Sequence, residues 1–306
     1  MTSPSGSPRS LFDRPYLLLT LVSLFWAINI VVGRLVAGTI PPIMLAQIRW
    51  GGAAILLLPF ALPHLKRDWP AVRSRFWLMC FLSLTGVTLY NTLGYYALQY
   101  TGAINGSLFQ STGPLWVAVF SFLLFRDFLS AGQSVGILLS ILGVAVMITR
   151  GDPAALLHLD FNVGDLWFVL AVAIYSLYTA MLRLRPPMHS LSFLVFTIVI
   201  GAILLLPATG IEWAQGHRME ITPTSVMAFI YVAIFPSILA YLFFNRGVEL
   251  IGANQASPFL YLIPVFGSAI AILFLGERPA LYHGIGCVLI IAGIFLAQKW
   301  RTKTPA

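Results

Sequence analysis

The chain has 306 residues, of which 59% are hydrophobic and 9% charged, and its formal net charge at pH 7 is +8. A soluble domain carries about 25% charged residues, so this composition excludes a water-soluble globular protein. Since a span takes about 20 apolar residues, the length leaves room for about ten spans with short loops and no separate soluble domain. The basic residues lie at the ends of apolar segments, which indicates membrane topology rather than a nucleic-acid partner.

Ten apolar segments are predicted to cross the bilayer as α-helices, because backbone polar groups must be paired within the segment in lipid. We expect a cytoplasmic tail over 1–14, a first five-helix repeat over 15–150, a second over 163–299 and a second cytoplasmic tail over 300–306. The predicted spans are Pro15–Val36, Pro41–Leu62, Phe76–Leu98, Gly102–Phe125, Ala131–Ile148, Val163–Leu182, Leu191–Pro207, Ser225–Asn245, Gly252–Leu275 and Tyr282–Gln298.

The distribution of Lys and Arg predicts the orientation of these spans. With a cytoplasmic N-terminus, thirteen of the 18 basic residues fall in cytoplasmic segments. The outer segments then hold only Arg34, Arg150, Arg218 and Arg278, and Arg49 lies within the second span. This bias follows the positive-inside rule, so we expect both termini in the cytoplasm of a bacterium whose inner membrane holds the protein.

The second half repeats the first weakly at a shift of 150 residues. Five spans per repeat is an odd number, so the second repeat would enter the membrane upside down, an arrangement typical of transporters. The alternative is chance similarity between Leu-rich helices. The matching positions are Gly102, Ala103, Ser107, Phe109, Pro114, Leu123, Gly136, Leu139, Ile141 and Gly143, which fall on Gly252, Ala253, Ser257, Phe259, Pro264, Leu273, Gly286, Leu289, Ile291 and Gly293.

Two of these stretches also carry a family resemblance. The segment from Tyr100 through Pro114 to Asp127, and its second copy from Gly252 through Pro264 to Arg278, resemble EamA-type members of the drug/metabolite transporter superfamily. The resemblance implies ten helices around a central cavity lined by the first four helices of each repeat, with the fifth helices at the periphery. It also implies export of amino acids, metabolites or drugs. Within the superfamily, the chain is similar to bacterial YddG-type exporters of aromatic amino acids.

Polar and aromatic residues inside the spans are candidates for substrate binding, because polar groups in lipid are costly. Trp26 and Asn29 share one face of the first span, and Tyr175 and Tyr178 share one face of the sixth. The alternative is that these side chains only pack helices together. Arg49 could meet a substrate carboxylate, or it could extend to the interface or pair with a helix end. The full predicted set is Trp26, Asn29, Arg49, Ser107, Tyr175, Tyr178 and Tyr261.

The predicted gates and hinges follow from the same shift of 150 residues. Asn91 and Tyr95 fall on Tyr241 and Asn245, so each repeat has an Asn and a Tyr one turn apart, at opposite membrane depths. We predict these pairs as the outer and inner gates, although Tyr95 and Asn245 could equally be interfacial residues. The predicted hinges, where glycine or proline interrupts helix hydrogen bonding, are Gly113, Pro114, Pro236 and Pro264.

These features favour a secondary transporter of small organic molecules over an enzyme. The sequence has no G-x-x-x-x-G-K-[ST] loop, H-E-x-x-H motif or G-x-S-x-G motif, and we expect no cofactor and no metal. The predicted substrates are amino acids with aromatic or apolar side chains, exported or equilibrated by alternating access. Hydrophobic drugs, organic cations and other metabolites are the alternatives, and a non-transporting membrane sensor is a remote one. The expected partners are the substrate and the lipid bilayer, and a monomer is compatible with the sequence.

Overall fold

The structure, a computed structural model, describes residues 11–127, 130–152, 162–251 and 256–299, and every regular element in these ranges is helical. Residues 1–10, the predicted C-terminal tail and the predicted start of the ninth span at Gly252 lie outside them. The helices are α1 (Pro15–Leu35), α2 (Pro42–Ser74), α3 (Phe76–Ala97), α4 (Ala103–Gln110), α5 (Gly113–Phe125), α6 (Ala131–Ile148), α7 (Val163–Met181), α8 (Ser190–Ala214), α9 (Pro223–Ile251), α10 (Leu262–Leu275) and α11 (Leu281–Lys299).

The described helices match the predicted all-α membrane class. Seven of them are long and apolar enough to cross a bilayer, and the pair α4–α5 makes an eighth if its two parts form one bent span. The stretches Phe259–Leu275 and Leu281–Leu296 are apolar but shorter. Among the described residues, therefore, helix length confirms seven or eight of the ten predicted spans, and the last two stay predictions.

The largest boundary difference lies in α2. This helix continues to Ser74, well past the predicted end at Leu62, with Pro59, Pro63 and Pro70 inside it. At about 1.5 Å per residue, its 33 residues span about 50 Å, more than the roughly 30 Å of a hydrocarbon core. The predicted end was wrong because hydropathy marks where apolar residues stop, whereas the helix continues into a basic segment.

Interruptions of the helices recur at corresponding positions of the two halves. Leu84–Leu89 forms a π-helical turn within α3, and Phe235–Leu239 forms another within α9. Such turns often accompany functional sites because they shift side chains out of the α-helical phase. The axes of α4 and α5 meet at 43° immediately before Gly113 and Pro114, so the bend predicted there is present.

The helices pack in a regular pattern. α1 packs on α9 and α10, α7 packs on α3 and α5, and the pairs α2–α8, α4–α10 and α6–α11 lie side by side. Glycines allow α6 and α11 to approach closely, as small residues do in membrane helices. A Cβ atom on Gly143 would clash with the backbone oxygen of Gly286, and one on Gly293 would clash with that of Gly136. This contact holds the last helices of the two halves together.

Candidate functional site

A buried arginine lies among polar side chains from three other helices. Arg49 of α2 is 4% exposed, and its Nε donates to Ser237 Oγ on α9 at 2.8 Å. Its Nη1 donates to Asn91 Oδ1 at 2.7 Å and Tyr95 Oη at 3.1 Å, both on α3, and to Asn29 Oδ1 on α1 at 3.3 Å. The Tyr95 hydroxyl also donates to Asn29 Oδ1, at 2.8 Å. We call these five residues the Arg49 cluster.

The two π-helical turns place the polar partners of Arg49. Ser237 lies inside the second turn and donates its hydroxyl to Val232 O, five residues earlier, at 2.7 Å. Asn91 follows the first turn, and its Nδ2 donates to Val87 O inside that turn at 3.1 Å. Both side chains are thereby held by backbone groups and keep an oxygen for Arg49.

Arg49 carries a charge that no described carboxylate compensates. None of the ion pairs among the described residues involves it, and its guanidinium carbon lies 4.6 Å from the centre of the Trp50 ring. Burying an ion costs several kcal/mol unless a partner offsets the loss of water. An uncompensated charge inside a membrane helix bundle therefore indicates a functional position.

Five aromatic side chains form a second group, the aromatic cluster, next to Arg49. It comprises Trp26, Tyr90, Tyr175, Tyr178 and Tyr241. The ring centres of Tyr90 and Tyr175 are 4.5 Å apart, those of Tyr175 and Tyr178 are 5.4 Å apart, and those of Trp26 and Tyr241 are 5.9 Å apart. Tyr241 lies near Tyr175, and Tyr90 Oη donates to Gln110 Oε1 at 2.9 Å.

The two clusters adjoin each other. Tyr90 directly precedes Asn91 on α3, and Trp26 donates to the backbone oxygen of Pro236, which directly precedes Ser237. A cationic side chain therefore lies beside a group of aromatic rings.

Each π-helical turn also supports an aromatic side chain from the other half of the chain. Gly86, in the first turn, lies against the ring of Tyr178, where an added Cβ would come within 2.6 Å of a ring carbon. The backbone oxygen of Pro236, in the second turn, accepts a hydrogen bond from Trp26 Nε1 at 3.1 Å. The turns therefore set the positions of both clusters.

The remaining predicted residues lie at several places. Ser107 is fully buried and packs against Gly267 between α4 and α10, and Asn245 is exposed at the end of α9 beyond Tyr241. Both lie outside the two clusters. Tyr261 packs against the apolar core just before α10. At the hinge positions, Gly113 O accepts a hydrogen bond from Ser176 Oγ at 3.1 Å, and Pro264 is buried in the first turn of α10.

Three residues of the site were missed by sequence reasoning. Tyr90 was missed because it directly precedes Asn91, and helical periodicity places residues adjacent in sequence on different faces. Ser237 follows the predicted hinge Pro236. The only signal for it was that, at the shift of 150 residues, it corresponds to a position in the first π-helical turn. Gln110 lies at the bend of α4 and α5, where the phase of the helix changes.

None of the three buried carboxylates among the described residues binds Arg49. Asp165 accepts hydrogen bonds from Thr101 Oγ1 and Asn105 Nδ2, and the other two hold helix ends. Glu212 accepts hydrogen bonds from Ile43 N at 3.1 Å and Met44 N at 2.8 Å, at the start of α2. Asp68, near the end of α2, accepts one from His189 N at 3.0 Å, at the start of α8. A negative side chain is stabilising at these helix N-termini.

A separate cavity of about 360 Å³ lies at the C-terminal end of α1. None of its lining residues belongs to the Arg49 cluster or the aromatic cluster. They are Arg34, Leu35, Ala37, Gly38, Gln99, Leu275 and Glu277.

Comparison with known proteins identifies the family. The model of the EamA-like transporter family matches residues 14–149 and again residues 162–298. The chain belongs to the EamA-like transporter family. It is therefore a multi-pass membrane protein of a transporter family, as the resemblance implied.

Relatives and a solved structure agree with this assignment. The uncharacterized transporter YyaM of Bacillus subtilis is 28% identical over 94% of this chain and 96% of its own length. An uncharacterized transporter of Archaeoglobus fulgidus is 26% identical over 93% of this chain and 97% of its own. A chloroplastic WAT1-related protein of Arabidopsis thaliana is 24% identical over 90% of this chain and 67% of its own length. A crystal structure with 18% identity shares the fold, with a TM-score of 0.60 over 93% of this chain and 97% of that one.

Proposed function

We propose that this protein is a secondary transporter that moves a small organic molecule across a bacterial inner membrane by alternating access. The observation that carries the proposal is the Arg49 cluster beside the aromatic cluster, since both are built from helices of both halves. A ligand bound there would contact each half at once. Such a site between two halves is typical of transporters that rock around a fixed binding site.

We also propose that the chain forms ten spans as two inverted five-helix repeats around this site. The packing pattern supports the proposal, because each contact in one half has a counterpart in the other. The first helix of the first half, α1, packs on α9 and α10, and the first helix of the second half, α7, packs on the matching helices α3 and α5. The contacts of Gly143 with Gly286 and of Gly293 with Gly136 exchange in the same way. The two carboxylates at helix starts are reciprocal as well, since Glu212 of α8 binds the start of α2 and Asp68 of α2 binds the start of α8. Inverted repeats predict such reciprocal pairs.

The aromatic cluster supports a substrate with an aromatic or apolar part, a class that includes the amino acids expected from the sequence. Aromatic side chains bury large apolar areas and stack on rings. The alternative of an organic cation is disfavoured by Arg49, because a second positive charge in the same space would be repelled.

Two features of the site suggest how access could alternate. Asn91 and Tyr95 close on Arg49 from α3, whereas Tyr241 lies against Trp26 and Asn245 lies beyond it on α9. We propose the first pair as the gate of one membrane face and the second pair as the gate of the other. Because Glu212 and Asp68 hold helix ends and Asp165 is bound by Thr101 and Asn105, we propose a facilitator without proton coupling.

Uptake into liposomes containing the purified protein tests the proposal. Trp26→Ala and Tyr178→Ala should lower the uptake of aromatic substrates, since each ring contributes roughly 0.5–1.5 kcal/mol of contact beyond its buried area. Cys80→Ala, at a half-buried position outside both clusters, is the matched control and should leave uptake unchanged. Normal uptake by both aromatic variants would place the binding site elsewhere, and concentrative uptake driven by a proton gradient would contradict the facilitator mechanism.

A further inference from the structure

Arg49 points to the chemical class of the substrate's polar end. We infer that the transported molecule is an aromatic or apolar monocarboxylate without a neighbouring ammonium group, and that Arg49 binds its carboxylate. The inference rests on the proposed transport function and adds the charge of the substrate to it. It favours an organic anion over both a zwitterionic amino acid and an organic cation.

The hydrogen bonds of Arg49 leave room for an anion. A guanidinium has five N–H donors. Nε uses one of them on Ser237, while three acceptors compete for the two on Nη1. Nη2 donates to no atom of the described residues. Arg49 is only 4% exposed, yet the two N–H donors of Nη2 are not used. It can therefore bind two further acceptor atoms.

A carboxylate is the ligand that this arrangement lacks. Arg binds carboxylates through two parallel N–H···O bonds, which are charge-assisted and stronger than bonds to neutral oxygens. The present acceptors, on Asn29, Asn91 and Tyr95, are all neutral and share one nitrogen. A substrate carboxylate at Nη2 would supply the missing negative charge without displacing the bond to Ser237.

An ammonium next to that carboxylate would have no partner of its own. The amide oxygens of Asn29 and Asn91 are directed at Arg49, and the Asn91 amide nitrogen is held by Val87 O. Among the described residues, the carboxylates of Glu212 and Asp68 bind backbone N–H groups at helix starts. An α-ammonium would therefore lie beside a buried cation of the same sign without a described carboxylate to pair with, and specificity arises from such repulsion.

The aromatic cluster receives the other end of the molecule. Tyr90 directly precedes Asn91, whose side chain binds Arg49, and the ring of Tyr175 is 4.5 Å from that of Tyr90. A ligand whose carboxylate binds Arg49 would therefore have aromatic rings beside it for an aromatic or apolar part.

Three probes that share one phenylethyl frame separate the charge classes. They are 3-phenylpropanoate, an anion; phenylalanine, its zwitterionic analogue; and phenethylamine, a cation. Purified protein is tested for ligand-induced thermal stabilisation, and then in liposomes for uptake above that of protein-free vesicles. We expect 3-phenylpropanoate to bind at least about tenfold more tightly than the other two, the ratio that 1.4 kcal/mol of discrimination gives. 2-Phenylethanesulfonate should compete with 3-phenylpropanoate. Because it stays charged at all pH values, its uptake cannot come from a neutral acid crossing the lipid.

Variants of Arg49 test its role directly. Arg49→Gln should lose the stabilisation by 3-phenylpropanoate, while its melting temperature without ligand should be at or above that of wild type, because an uncompensated buried charge is removed. Arg49→Lys keeps the charge and should retain the preference for the anion with about tenfold weaker binding, since it loses the two-pronged contact. Arg183→Gln, at an exposed ion pair with Asp127, is the matched control and should bind as wild type does.

The outcomes separate this inference from the transport proposal. Binding of 3-phenylpropanoate without uptake would contradict transport and leave the carboxylate site in place. Preferred binding of phenylalanine or phenethylamine would overturn the inference while leaving transport intact, and so would failure of every probe to bind. Equal affinity of Arg49→Lys for all three probes, or unchanged anion binding by Arg49→Gln, would likewise overturn it.

Discussion

Gly86 is the residue at which the backbone of α3 most closely approaches the aromatic cluster. An added Cβ there would lie 2.6 Å from a ring carbon of Tyr178, whereas one on Gly94 of the same helix would meet nothing within 4 Å. A clash of this kind costs about 1–3 kcal/mol, and the ring of Tyr178 would have to move. We therefore expect Gly86→Ala to lower both the melting temperature and substrate uptake.

Gly94→Ala is the matched control for this substitution. Replacing glycine by alanine within a helix is favourable by about 0.5–1 kcal/mol when the space is free, so the melting temperature should stay equal or rise. Equal effects of the two substitutions on uptake would show that the position of Tyr178 does not matter for transport.

At the level of single residues, the sequence predicted the site in part. Asn29, Arg49, Asn91 and Tyr95 were singled out because polar groups within apolar segments are costly, and the structure brings them close together. The close link of Asn91 and Tyr95 to Arg49 could not be predicted. It depends on a π-helical turn, which changes the phase of α3 and leaves no trace in hydropathy.

At the level of helices, α6 and α11 form the contact most sensitive to side-chain size. An added Cβ on Gly293 would clash with the backbone oxygen of Gly136 and with Ser140. Because backbone cannot yield as a flexible side chain does, Gly293→Ala should separate the two helices and destabilise the protein by about 1–3 kcal/mol. A lower melting temperature in detergent would be the measured result.

Gly284→Ala on α11 is the control, since a Cβ there would meet nothing within 4 Å. It should leave the melting temperature unchanged or raise it slightly. If Gly293→Ala proved as stable as Gly284→Ala, close packing of α6 against α11 would not be needed for stability.

Helix existence was more predictable than helix extent. The apolar runs located the helices because lipid forces paired backbones, but the ends of α2 and α8 lie beyond the apolar runs. Pro63 and Pro207 would suggest ends from sequence, yet both lie inside helices. Packing of α2 along α8 offsets the hydrogen bonds that proline removes, and this tertiary effect is absent from local sequence.

At the level of the whole molecule, composition determined the class and the weak 150-residue shift predicted two copies. The family model matches the chain twice, over 14–149 and 162–298. Substrate charge could not be predicted, since Arg49 has the same sequence signature whether it binds a ligand or reaches the interface. Only its burial and its neutral partners distinguish these roles.

The orientation of the whole molecule in the membrane is the remaining prediction. An inverted repeat requires that the loops after α2 and after α7 lie on the same side, and that the loops after α6 and after α8 lie on the other. Charge bias places the first side in the cytoplasm. The first reporter position is Ser74, because α2 continues to that residue and an earlier fusion would cut the helix.

Fusions ending after Ser74 and after Arg185 should therefore fluoresce with green fluorescent protein and be inactive with alkaline phosphatase, which folds only outside the cytoplasm. Fusions after Asp152 and after Arg218 should give the opposite result. As the control, both reporters are tested at each site. A correctly inserted chain gives one active and one inactive reporter there, whereas a chain that fails to insert does not give this alternation from site to site. If Arg185 and Arg218 exchanged their signals while Ser74 and Asp152 did not, the two halves would be parallel rather than inverted.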